Sequence, residues 1–452
     1  MNYAVILASG EGSRFGGEKL KQLTRVSGKT ILEHTLQLFD KNPNIDVVVI
    51  VGNAQVLLLG EEFKSKYPKL HAIVAGGASR AESTWMGLNA LKELAQQDDK
   101  VLIHDGVRPF LSHEIIQNLI LALDEYKAVN TIIDATDTML YVEDGKVISI
   151  PDRSKIKRGQ TPQGFRYGSL VEAFTDFLPK QNELKVTDDC AIYLNYWGER
   201  SSIFTVRGSE ENIKITFPFD LITAEEVFRM GRYSDTYGRE DIQGKVAVVF
   251  GGSQGIGEAI AQKLSASGLK VYSLSRSSGC DVGRAEQVQS SLEKIARESA
   301  PLGIDFIINC AGVLYTGPML GTSHEKLEEM IQTNILGSIH IANASHAYLK
   351  ATKGMLVFFS SSSYLKGRAN IATYSATKSA VSNLTQALAE EWASDAIRVN
   401  CIAPSRTDTP MRSNNFNDSD DLADLLKPEK VAERVEELLQ SDLTSSIIRV
   451  YK

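Results

Sequence analysis

Residues 3–14 read Tyr-Ala-Val-Ile-Leu-Ala-Ser-Gly-Glu-Gly-Ser-Arg, and Lys19, Lys21 and Gln22 follow within a few positions. Tyr3 to Leu7 is a short apolar run of the kind that makes a buried strand. Ala8 to Gly12 then form a turn, in which Gly10 and Gly12 free the backbone to fold back and aim N–H groups at an anion. Arg14 and Lys21 bring two cations to the same place. These parts suit a triphosphate, whose charge must be held and spread while a phosphorus atom is attacked. They equally suit an ordinary strand-to-helix turn with solvated basic residues, so the decision rests on the rest of the chain.

The chain has 452 residues, too many for one core and enough for two or three domains. With 43% hydrophobic and 23% charged residues, its composition is that of a globular protein. A net charge of -7 gives no basic footprint for nucleic acid, so any polyanion must bind in a local pocket. No charged leader precedes the first strand, and no apolar run reaches membrane-spanning length. Cys190, Cys280, Cys310 and Cys401 lie far apart without a C-x-x-C pair, which argues against disulfides and structural zinc. The expectation is a cytoplasmic protein with no nucleic acid or membrane partner.

A second glycine-rich turn, Gly251–Gly257, divides the chain. The stretch from Met230 to Gly244 is polar, glycine-containing and aperiodic, and reads as a linker at 231–244 between domains at 1–230 and 245–452. Each half alternates apolar strands with amphipathic helices, which predicts α/β architecture built on parallel sheets. In the first half the strands are Ala4–Leu7, Val47–Val51, His71–Val74 and Val101–His104. Sites in such sheets lie beyond the carboxyl ends of the strands. The third strand runs into Gly76, Gly77, Arg80 and Ser83, small and hydrogen-bonding residues suited to a base or ribose. The fourth ends at Asp105, a hard-oxygen ligand suited to magnesium, with Arg108 able to fork onto phosphate; taken singly, such a pair is more often a salt bridge, and together with the opening turn it favours a nucleotide site. Thr136–Ile150 reads as two strands around an Asp-Gly turn, a projecting hairpin.

These pieces resemble the cytidylyltransferases that join CTP to a sugar-alcohol phosphate, among them the methylerythritol-phosphate and ribitol-5-phosphate enzymes. The motifs are LASGEGSRFG (7–16), KLKQL (19–23), GKTILEHTL (28–36), GGASRAEST (76–84), HDGVRPF (104–110), PDRSKIKRGQTPQGF (151–165), TDD (187–189) and GSEENIKIT (208–216). Leu20 departs from the family, which usually has proline before the lysine. The resemblance implies that Ala8, Ser9, Gly10, Gly12, Arg14, Lys21, Gly77, Arg80, Ser83 and Asp105 bind CTP, with Arg14 and Lys21 stabilising the pentavalent phosphorus. It implies that Arg153 and Lys214 hold the incoming alcohol phosphate, with Arg108 and Thr161 helping, and that Asp105 holds Mg2+. It also implies a homodimer that exchanges the hairpin arm.

In the second half, Lys245–Phe250 feeds Gly251-Gly252-Ser253-Gln254-Gly255-Ile256-Gly257, a strand-turn-helix arrangement for a dinucleotide. The next strand, Lys270–Leu274, is followed by Arg276 near the position where an acid would bind a ribose 2′-hydroxyl. A cation there attracts a 2′-phosphate and points to NADP. Tyr374 and Lys378 stand one helical turn apart, where the ammonium is expected to lower the phenol's pKa for proton exchange with a carbonyl oxygen. With Ser360–Ser362, Asn309–Gly312 and Asn334, this half resembles the short-chain dehydrogenase/reductases, so two Rossmann-like domains are expected. On that resemblance Tyr374 is the acid/base and Ser361 polarises the carbonyl, with Ser360 and Ser362 as alternatives. Lys378 and Asn334 complete the set. Gly251, Ser253, Gln254, Gly255, Ile256, Gly257, Arg276, Asp281, Asn309, Ala311, Gly312, Tyr374 and Lys378 border the NADP(H).

The two halves fit consecutive steps: ribulose 5-phosphate reduced to ribitol 5-phosphate, then converted to CDP-ribitol. The pairing resembles bifunctional CDP-ribitol enzymes of capsule synthesis. A methylerythritol-phosphate cytidylyltransferase joined to another reductase, or to a silent dimerisation module, is the alternative. Arg406 and Arg412 are candidates for the ketose phosphate, or else ordinary surface charge.

Overall fold

The computed structural model describes residues 1–11, 15, 20–181, 186–198, 202–229, 240–416 and 425–452. They fall into two compact units, Met1–Ala224 and Glu225–Lys452. Residues 230–239, most of the linker read from the sequence, lie outside the described residues.

In the first unit the strands are β1 Asn2–Ala8, the short pair β2 Arg25–Val26 and β3 Lys29–Thr30, β4 Val47–Gly52, β5 Leu70–Ala75, β6 Lys100–Asp105, β7 Ala128–Asp134, β8 Tyr141–Glu143, β9 Lys146–Ser149, β10 Lys157–Arg166 and β11 Phe204–Arg207. Seven of them form one sheet in the order β11-β7-β10-β6-β1-β4-β5. The centre, β6-β1-β4-β5, is parallel, and β10 runs antiparallel between β6 and β7. The four strands expected from the sequence are all present, up to two residues longer at an end. β1, β4 and β6 are buried almost throughout because both faces are covered, whereas β5 at the sheet edge is mostly half-buried. Ile6 and Ile50 enter the core on one face, Val5 and Val49 that on the other. A Cβ on Gly87, in the helix Arg80–Ala90, would sit 2.4 Å from Val5 Cγ1, so that helix presses directly on β1.

Register places the chemistry. Leu7 of β1 pairs with Asp105 of β6, and Gly106 N–H donates to the Leu7 carbonyl at 2.8 Å. The first glycine turn and Asp105 therefore emerge side by side. The hairpin is also present: β8 and β9 pair antiparallel around Asp144 and Gly145, whose φ values of +47° and +74° make the I′-type turn an Asp-Gly pair favours.

The second unit has six strands, β12 Val246–Phe250, β13 Lys270–Leu274, β14 Phe306–Asn309, β15 Met355–Phe359, β16 Arg398–Pro404 and β17 Ile447–Val450. They form one parallel sheet in the order β13-β12-β14-β15-β16-β17. Phe250 and Asn309 are register partners, and Cys310 N–H donates to the Phe250 carbonyl at 2.9 Å. The second glycine turn thus opens beside the Asn309–Gly312 segment.

Phe358 is fully buried in β15 within the core on one face of this sheet. Phe358→Ala is expected to destabilise the second unit by about 3–5 kcal/mol, read as an earlier urea unfolding transition.

Candidate active sites

In the first unit a cavity of about 520 Å³ opens at the carboxyl ends of β1, β5 and β6. Ala8, Ser9, Gly10, Lys21, Gly77, Arg80, Ser83, Asp105 and Lys214, all singled out from the sequence, line it. Gly12 and Arg14 lie outside the described residues. Ser9 and Ser83 hydroxyls meet at 3.0 Å, and Gly77 N–H donates to Ser83 Oγ at 3.2 Å, tying the two glycine loops together. Gln22 clamps the first turn, its Nε2 donating to the carbonyls of Ala8 at 3.0 Å and Gly10 at 3.1 Å. The sequence reading assigned Gln22 no role, although its place just after the turn was visible.

Asp105 is the electrostatic centre. Its Oδ2 meets Lys214 Nζ at 2.9 Å and Arg108 Nε at 3.3 Å, and its Oδ1 lies 3.9 Å from Arg80 Nε. Burial alone pushes such a carboxyl up, but Lys214, Arg80 and Arg108 hold it well below the usual carboxylate range. Arg80 is itself fixed by Asp189, whose Oδ2 accepts from Nη1 at 2.8 Å, and Asp189 Oδ1 accepts from Thr84 Oγ1 at 2.9 Å. Asp189 was read only as part of the TDD motif; its partner lies 109 residues away.

Two residues expected to touch substrate stand behind Asp105 instead. Thr161 is buried, accepts from Asp105 N–H at 3.1 Å and meets His104 Nδ1 at 3.1 Å. Arg108 is buried and spends Nη1 on the Asn212 carbonyl at 2.8 Å. Burial pushes His104 down to about 4, so its ring is neutral and serves as a strut. Arg153 does not line this cavity. It is exposed at the foot of the arm, donating to the Thr136 carbonyl at 3.0 Å.

In the second unit a cavity of about 410 Å³ is lined by Gly251, Ser253, Gln254, Gly255, Ile256, Gly257, Arg276, Asp281, Ala311 and Gly312, each expected from the sequence. A Cβ on Gly251 (φ +76°) would lie 2.6 Å from Ala311 N, and one on Gly257 only 2.2 Å from the Gly251 carbonyl oxygen. Glycine is required at both, and the helix Gly255–Ala266 aims its first N–H groups into the cradle. Asn309 sits beneath it, accepting from Ala311 N–H at 3.1 Å and donating to Ser338 Oγ at 3.1 Å. Arg276 pairs with Glu329 at 2.9 Å.

A neighbouring cavity of about 370 Å³ shares Gly312 with the first and is lined by Ser361, Tyr374 and Lys378. Ser360 turns inward, donating to the Lys378 carbonyl at 2.8 Å and accepting from Ser382 at 2.9 Å. Burial pushes the Tyr374 phenol up to about 12, and the Ser361 hydroxyl opposes that rise. The sequence expectation gave this opposing role to Lys378. In the structure the Lys378 ammonium instead donates to the Phe359 carbonyl at 2.8 Å and lies 5.7 Å from the Tyr374 ring centroid. Burial pushes Lys378 itself down to about 8. Asn334 lines neither cavity. It sits in a π-helical turn, Gln332–Leu336, where its amide holds Val313 N–H and C=O and Thr377 Oγ1 at 2.9–3.0 Å.

Residues 2–230 match the family model described as IspD, 2-C-methyl-D-erythritol 4-phosphate cytidylyltransferase, and residues 276–420 match the short chain dehydrogenase model. The chain is 39% identical over 426 residues to the bifunctional ribulose 5-phosphate reductase/CDP-ribitol pyrophosphorylase Bcs1 of Haemophilus influenzae, covering 92% of this chain and 88% of that one. It is 37% identical to the ribitol-5-phosphate cytidylyltransferase of Lactiplantibacillus plantarum over 230 residues, 50% of this chain and 97% of that one. It is 38% identical to the 2-C-methyl-D-erythritol 4-phosphate cytidylyltransferase of Thermobifida fusca over 235 residues, 50% of this chain and 93% of that one. The chain belongs to the family of the Haemophilus influenzae bifunctional protein, in which an IspD-type cytidylyltransferase is followed by a short chain dehydrogenase in one polypeptide.

Proposed function

We propose that the chain reduces D-ribulose 5-phosphate to D-ribitol 5-phosphate with NADPH, then couples the product to CTP, giving CDP-ribitol and pyrophosphate. The observation that carries this reading is the 39% identity to the bifunctional relative across both halves of the chain. In the second unit, Ser361 Oγ–H holds the ketone oxygen while Tyr374 gives it the phenolic proton. A bound nicotinamide supplies the hydride to the carbonyl carbon. Lys378 fixes the ribose side of the site, and Asn334 holds the Val313 backbone that borders it. Arg276 favours the 2′-phosphate, which must draw it from Glu329.

In the first unit, a phosphate oxygen of ribitol 5-phosphate attacks the α-phosphorus of CTP, and the bond to the β-phosphate breaks as pyrophosphate leaves. A phosphate monoester is already ionised near neutral pH, so the work is positioning and charge neutralisation. Lys21, with Arg14, spreads the charge at phosphorus, and Lys214 holds the acceptor phosphate. Among the described residues no group of three or more His, Cys, Asp and Glu could hold a metal alone. Asp105 offers one hard oxygen, which fits a magnesium ion whose other ligands are the nucleotide's phosphates and water.

The arm argues for a homodimer. Met139, Leu140, Tyr141, Val142, Val147, Ile148 and Ile150 along it are all at least 43% exposed, an apolar surface that a second copy covers. Exchange of arms would bring Arg153 to the second copy's site. The enzyme acts in the cytoplasm, where CTP and NADPH are at hand, and its product serves capsule or cell-surface polymers.

A mixture of ribulose 5-phosphate, NADPH, CTP and Mg2+ is expected to yield a CDP-pentitol; methylerythritol phosphate proving the far better acceptor would shift the assignment to that alcohol. Arg276→Ala should raise KM for NADPH by about tenfold or more, as loss of a charge-assisted contact does, and leave KM for NADH nearly unchanged. Ketone reduction should fall as pH rises through about 8, where Lys378 loses its proton; a rate that climbs across that range contradicts the assignment.

A further inference from the structure

We propose that Glu329 sets how strongly the second unit discriminates between NADPH and NADH, by holding Arg276 until a 2′-phosphate displaces it. This rests on the reading of Arg276 as the ligand of the 2′-phosphate, and it names a second residue that weakens the resulting preference. Arg276 lines the dinucleotide cavity together with Ser275 and Ser277. Its Nη1 donates to Glu329 Oε1 at 2.9 Å. Glu329 is not among the described residues that line the cavity; it lies in the helix His324–Ile331, about one turn before Thr333, which does line it.

Two observations separate this pair from an ordinary surface ion pair. The backbone under Arg276 is fixed, because Ser275 and Ser278 cap each other across the single turn Arg276–Ser278. Any movement between carboxylate and cavity therefore falls to the Arg276 side chain, which is 62% exposed. The carboxylate is fixed as well. Glu329 Oε2 accepts from the Tyr315 hydroxyl at 2.5 Å, and Tyr315 with Arg276 holds the carboxyl below its usual range. A carboxylate tied to Tyr315 does not follow the guanidinium into the cavity. A cofactor with a 2′-hydroxyl leaves the pair intact and is indifferent to it. A 2′-phosphate carries about −1.5 to −2 charge against −1 on the carboxylate, so it wins the guanidinium, but only by breaking the pair. The carboxylate left behind also repels the phosphate. Both effects act on the phosphorylated cofactor alone. Exposed ion pairs are weak, so Glu329 trims the preference without reversing it.

The test measures Kd for NADPH and NADH by nicotinamide fluorescence, with the full chain and its Glu329→Gln, Arg276→Ala and doubly substituted forms. Glu329→Gln keeps a hydrogen-bonding side chain for Tyr315 and removes only the charge. It should bind NADPH about three- to fivefold more tightly, the size that an exposed ion pair commands, and hold NADH as the wild type does. The gain should shrink at high salt. In the Arg276→Ala background the same substitution should leave Kd for NADPH nearly unchanged, since the pair it relieves is already gone. As competitors, 2′,5′-ADP should follow NADPH and 5′-AMP should follow NADH. A wild type that binds NADPH more tightly than NADH, with a Glu329→Gln variant that gains nothing, overturns the role of Glu329 alone. So does a gain that persists without Arg276, or a variant that gains or loses both cofactors alike, since these mark a merely structural role. A wild type that binds NADPH no more tightly than NADH overturns the 2′-phosphate reading of Arg276, and this inference with it.

Discussion

A parallel sheet whose neighbouring central strands send their connections to opposite sides must open a cleft between them. Each unit of this chain has its candidate site in that cleft. In the first unit the cleft lies between β1 and β6, in the second between β12 and β14. Both are sealed by a hydrogen bond from the chain leaving one strand to the last turn of its neighbour, Gly106 to Leu7 and Cys310 to Phe250. That constraint explains why glycine recurs in the second turn: side chains at Gly251 or Gly257 would collide with main-chain atoms.

The two clefts handle charge differently. In the first, the single carboxylate of Asp105 organises Arg80, Arg108 and Lys214, and buried Asp189 anchors Arg80 from behind. On the proposed reading, a polyphosphate entering there would meet cations already oriented by a protein anion, with little reorganisation left for the moment when charge builds up at phosphorus. In the second, Tyr374 and Lys378 are both shifted toward their neutral forms by burial. A protonated phenol is what reduction of a ketone needs.

Four strands of the first sheet and two of the second were legible as short apolar runs, and the arm because Asp-Gly marks its turn; β7, β10 and β11 mix polar with apolar residues and were not singled out. The glycine turns and the Tyr374–Lys378 pair were legible because their parts are close in sequence. What escaped depends on distant partners. Thr161 reads as a polar residue free to meet substrate until its cross-strand place behind Asp105 and His104 is known. Asp189 supports Arg80 from across the unit, Glu329 holds Arg276 from 53 residues away, and Asn334 spends its amide on Val313 and Thr377. The role of Ser361 needed only the direction in which Ser360 turns, which spacing cannot supply.

Gln22 holds the first glycine turn in shape from within the protein, through the carbonyls of Ala8 and Gly10. A loop already fixed by its own side chain gives up less conformational freedom when a ligand settles on it, so more of the contact energy is left over for affinity.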